Sequence, residues 1–87
     1  GMVTVSDAAM LEAVELLATR AGVFAEPAGA AAVAGLKAAL GQGLVGRNEE
    51  VVAMVTGTGL KTMQFFKASG QIVEIGGTLQ ELAESLR

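Results

Sequence analysis

The clearest pattern in the chain is helical. Met10, Val14, Leu17 and Ala21 recur at helical spacing, with Glu12, Glu15 and Thr19 on the opposite side. Ser6 suits an N-cap, and Asp7 places an acid in the first turn. Arg20 puts a cation in the last turn, and Gly22 suits the C′ position. These signals predict an amphipathic helix ending at Ala21. The apolar run Val23-Phe24-Ala25 then predicts a short strand, and Pro27 suits the first position of a second helix. From Ala28 to Leu40 the only charge is Lys37, and Gly29, Gly35 and many alanines leave little side-chain bulk. A helix apolar on most faces is a buried helix. Gly41 and Gly43 end it.

Residues 44–50 read as a connection, with Gly46-Arg47-Asn48 as turn chemistry. Val51-Val52-Ala53-Met54-Val55 is a continuous apolar run, which predicts a strand covered on both faces. Strand, helix and strand in that order predict a right-handed βαβ unit with its two strands parallel. The second strand delivers the chain into Thr56-Gly57-Thr58-Gly59. Residues 60–70 fit several conformations, a helical turn among them, with Phe65 and Phe66 expected to pack. Ile72-Val73-Glu74-Ile75 predicts a third strand. Thr78 and Glu81 form a T-x-x-E capping box, and Leu79, Leu82 and Leu86 give the closing helix an apolar stripe. The expected fold is therefore α/β: a small sheet with a βαβ unit, in the order helix, strand, helix, strand, loop, strand, helix. Gly1-Met2 reads as a tag scar and start methionine, and residues 3–87 as a single domain.

Composition narrows the chemistry. With 87 residues there is one small domain at most. The chain has no cysteine, so it has no disulfide, thiol nucleophile or thiolate metal site. It has no histidine, which removes the commonest metal ligand and general base. A net charge of -3, three Phe and no Trp or Tyr speak against nucleic-acid binding. No run of about 18 apolar residues suggests a membrane span, and no basic-then-apolar leader is visible. A cytoplasmic protein is expected. Hydrophobic residues make up 52% of the chain and charged residues only 17%. That load is hard to bury in a small chain, so a symmetric homodimer or another covering partner is expected.

The sharpest local feature is the Gly-rich loop after the second apolar run. Gly57-Thr58-Gly59-Leu60-Lys61-Thr62 departs from a P-loop, because Leu60 stands where glycine should precede the lysine. Thr62 stands where a dinucleotide-binding loop has its third glycine. Taken alone, the loop reads as an ordinary turn. Glu26 at the start of the second helix reads, alone, as electrostatic capping. Lys37, Lys61 and Lys67 lie in no local pattern that would depress a lysine pKa.

Taken together, two motifs carry a resemblance. Gly22-Val23-Phe24-Ala25-Glu26-Pro27-Ala28-Gly29-Ala30-Ala31, followed by Val55-Thr56-Gly57-Thr58-Gly59-Leu60-Lys61, resembles the C-terminal part of threonine synthase. That family belongs to the pyridoxal-phosphate enzymes of fold type II, relatives of threonine deaminase and serine racemase. The E-P-A-G-A element is shared across fold type II; the T-G-x-G-L-K element points to threonine synthase. The resemblance covers nearly all of this chain but only the closing part of such an enzyme. It implies that the Thr56 hydroxyl lies near the pyridine nitrogen of the cofactor. It also implies that Gly57 and Gly59 let the backbone pass close to the ring, and that Glu26 sits near the edge of the site. The family's Schiff-base lysine and phosphate-cradling loop lie upstream of the matching region, and neither is found here. The expectation is a fragment, a split or truncated gene product, or a small domain reusing the segment. It would supply one wall of the pocket and need a complementing N-terminal chain for threonine synthesis, a lyase reaction. The other expectation is a non-catalytic domain that self-associates or binds another protein.

Overall fold

The structure, a computed structural model, describes residues 1–65 and 73–86. Helix α1 spans Asp7–Ala21 and opens where the sequence places its cap. The Ser6 hydroxyl accepts a hydrogen bond from the Ala9 N–H at 3.1 Å. At the other end Gly22 adopts a left-handed conformation, φ 68°, and the N–H groups of Gly22 and Val23 both donate to the Leu17 carbonyl. Helix α2 spans Pro27–Gly41, with Pro27 in its first turn. A 3-10 stretch runs over Gly59–Phe65 and is kinked at Thr62, whose backbone leaves helical geometry. Helix α3, Leu79–Ser85, begins at a complete capping box between Thr78 and Glu81.

Helices α1 and α2 pack on each other and make the core. Its buried members are small: Ala13 and Val14 from α1, Ala30 and Ala34 from α2, and Ala25 between the helices. Val5, Met10, Leu17, Phe24, Val33 and Val55 pack around them, partly exposed. Ala30 and Ala34 on α2 add little bulk between the two helices. On the rim of the α1–α2 cleft Lys37 pairs with Glu12. No helix among the described residues is long and apolar enough to cross a membrane.

The expected sheet is not formed. Among the described residues the fold is helical, with no strand and no βαβ unit. The only bridge among the described residues joins Ala25 to Thr58, and it is antiparallel where parallel strands were expected. Residues 51–55 have no regular structure and make no backbone hydrogen bond among the described residues. Val52 is 91% exposed and Met54 75%, the reverse of a strand covered on both faces. In the expected third strand, Ile72 lies outside the described residues, and residues 73–75 are not a strand. The physical reason is that an apolar run becomes a strand only when another segment satisfies its backbone groups. Nothing among the described residues does so for residues 51–55. Phe65 is 57% exposed rather than packed, although it borders a cavity with Asp7, Met10, Leu11 and Pro27. Phe66 lies outside the described residues. The leucines of α3 are exposed, and no α3 residue is buried.

Candidate functional site

Residues 24–30 and residues 55–61 meet beside the N-terminus of α2. The approach to Pro27 makes this possible. A residue before proline is held out of the helical region, and Glu26 has φ -70°, ψ 161°. Its N–H therefore faces outside the helix and donates to the Gly57 carbonyl at 3.0 Å, while its own carbonyl accepts the Ala30 N–H. Two residues along, the Gly59 N–H donates to the Phe24 carbonyl at 3.0 Å. These bonds flank the Ala25–Thr58 bridge and fix the register of the two segments.

The segments touch at a distance that only glycine allows. A Cβ on Gly29 would lie 2.8 Å from the Gly57 nitrogen, so the first turn of α2 presses directly on the loop backbone. A Cβ on Gly57 would collide with the Glu26 carboxylate, and one on Gly59 with the Phe24 ring. Glycines of the loop thus serve the packing of the protein on itself.

Charge reinforces the contact. The Glu26 carboxylate, 21% exposed, lies 3.4 Å from the Lys61 ammonium. Thr56 is exposed, and its hydroxyl makes no hydrogen bond among the described residues. The Gly59, Leu60 and Lys61 N–H groups all turn inward, to the Phe24 carbonyl and to the hydroxyl and carbonyl of Thr58. No anion-cradling nest is left on that stretch. No cluster of three metal-ligating side chains occurs among the described residues. The site therefore offers one free neutral hydroxyl, on Thr56, beside a loop packed against the start of α2.

The sequence profile of the pyridoxal-phosphate dependent enzyme family matches residues 1–57. This chain belongs to that family. Within it, the chain is similar to threonine synthases. It is 47% identical over 57 residues to the threonine synthase of Methanocaldococcus jannaschii, covering 66% of this chain and 14% of that enzyme. It is 52% identical over 56 residues to that of Mycobacterium tuberculosis, covering 64% and 16%. A threonine synthase from Bacillus sp. is 35% identical over 85 residues, covering 95% of this chain and 24% of the enzyme. The chain thus spans a small part of the length of the relatives it matches.

Within the pyridoxal-phosphate enzyme match lie Glu26, Thr56 and Gly57; Gly59 falls just beyond it. The structure brings all four expected site residues together at one loop, with Glu26 and Gly59 facing the protein and Thr56 facing outward. The exposed Thr56 hydroxyl can donate or accept a hydrogen bond, the chemistry a ring nitrogen requires of a neutral partner. Three further residues shape the site without having been singled out for it: Gly29, Phe24 and Lys61. Opposite charges at Glu26 and Lys61, one in each motif, were the available signal for the ion pair.

Proposed function

We propose that residues 24–61 form one wall of the cofactor pocket of a threonine synthase-like enzyme. Such an enzyme converts O-phosphohomoserine and water to threonine and phosphate. The carrying observation is the antiparallel register of the two motifs, which holds Thr56 at the exposed edge of a fixed loop. Pyridoxal phosphate, when bound, supplies the electron sink for such chemistry. Thr56 offers its ring nitrogen a neutral hydrogen bond, without the negative charge that would keep that nitrogen protonated. Gly57 and Gly59 keep the loop flat against Phe24 and α2, leaving the far side open to a ring. Glu26 stands at the edge of the pocket. Lys37 is paired with Glu12 and Lys61 with Glu26. In this reading the Schiff-base lysine and the phosphate donors come from a complementing segment, and the 87-residue polypeptide alone is inactive.

An absorbance titration with pyridoxal phosphate tests the reading. The chain alone is expected to give no stoichiometric spectral change and no borohydride-fixed adduct at a single lysine. Mixed with a polypeptide carrying the family's lysine and phosphate loop, it is expected to give a saturable band. A stoichiometric adduct on the chain alone, or no band in the mixture, contradicts the proposal. A second reading, a self-associating or protein-binding domain, draws on the exposure of Val52, Met54 and Leu60. It predicts association without any cofactor dependence.

A further inference from the structure

The geometry points to Glu26 as a positioning residue that clamps the loop from Gly57 to Lys61, with Lys61 as its charge partner. Glu26 meets the loop at three places. Its backbone N–H holds the Gly57 carbonyl at 3.0 Å. Its carboxylate fills the space beside Gly57 that any larger residue would need. The same carboxylate reaches Lys61, four residues further on, at 3.4 Å. Both ends of the loop are thereby tied to one residue at the start of α2, the Gly57 end through its backbone N–H and the Lys61 end through its carboxylate. The hold ends where the 3-10 stretch kinks, at Thr62, immediately after Lys61.

The carboxylate is mostly shielded while the ammonium is 61% exposed, so the pair is half-open to solvent and sensitive to salt. Between the clamped ends, the Gly59 N–H donates to the Phe24 carbonyl, and Gly59 is buried. That amide reports whether the loop is closed on α2. Glu26 in this role acts on the loop and through it on Thr56. The purpose of the clamp, keeping Thr56 in place, rests on the cofactor-wall reading; the clamp itself does not.

Amide hydrogen exchange in the 87-residue chain, followed by NMR without cofactor, tests the clamp. Lys61→Met and Glu26→Gln are each expected to speed exchange at Gly59 about two- to fivefold, the range of a partly exposed ion pair. Lys61→Arg keeps the charge and is expected to stay near the parent rate. Raising salt to about 0.5 M is expected to speed Gly59 exchange in the parent chain but not in Lys61→Met. Exchange at Ala30 and Ala34, in the helix core, is expected to stay unchanged. The clamp is overturned if Gly59 exchange is the same in the parent chain and Lys61→Met. It is equally overturned if Lys61→Arg is as fast as Lys61→Met, or if Ala30 and Ala34 accelerate in step with Gly59. Because no cofactor is present, such a failure leaves the cofactor-wall reading standing, and failure of the titration leaves the clamp standing.

Discussion

Gly29 and Gly41 sit on the same helix and should respond oppositely to a methyl group. At Gly29 the methyl would press on the Gly57 backbone, whereas at Gly41 nothing lies within 4 Å. Gly29→Ala is expected to lower stability by about 1–3 kcal/mol through overpacking. Gly41→Ala is expected to be neutral or to raise it by up to about 1 kcal/mol, because it restricts the unfolded chain. Urea unfolding of the two variants checks the pair. Thr56 and Thr58 form a second contrast. Thr58 is engaged in the bridge to Ala25, and its hydroxyl accepts from Leu60, while the Thr56 hydroxyl is open. In an assembly that restores activity, Thr56→Val is expected to cost about 1–3 kcal/mol of kcat/KM and Thr58→Val less. Equal losses in steady-state phosphate release would contradict the role of Thr56. The motifs made these residues legible in the sequence. The opposite charges of Glu26 and Lys61 were visible there too, but a helix and a connection separate the two residues, and only the folded register brings them together.

Helices were readable because their signals are local. Ser6, Gly22, Pro27 and the Thr78–Glu81 box all act within a turn of their own positions. Strands were not, because residues 51–55 need a distant partner, and an apolar run looks the same with or without one. The same contrast sets two expectations. Ser6→Ala removes the α1 cap and is expected to cost about 1 kcal/mol of global stability, because α1 supplies two of the five buried core residues, Ala13 and Val14. Thr78→Ala is expected to melt α3 alone, since seven residues are a marginal helix and none of them is buried. Cα chemical shifts over residues 79–85, set beside a urea midpoint near that of the parent chain, check the second. A global loss of stability in Thr78→Ala would contradict it.

The radius of gyration is 17.5 Å, against about 12 Å for a compact chain of this length. Apolar side chains are correspondingly uncovered: Val52, Met54, Leu60 and Leu79 are each more than two-thirds exposed. A molecule built this way is expected to self-associate at micromolar concentration, and sedimentation equilibrium decides it; a clean monomer that binds no hydrophobic dye would contradict the expectation. In a threonine synthase-like enzyme the rest of the protein would cover the same surface. Grafting tests that central claim most directly. Residues 1–57 and the adjoining Thr58–Lys61 would replace the matching segment of the Methanocaldococcus jannaschii threonine synthase, with which the chain shares 47% identity over 57 residues. The expected result is a chimera that retains pyridoxal phosphate and releases phosphate from O-phosphohomoserine, with Thr56→Val impairing release. A chimera that folds but retains no cofactor, or whose phosphate release ignores Thr56→Val, would contradict the account.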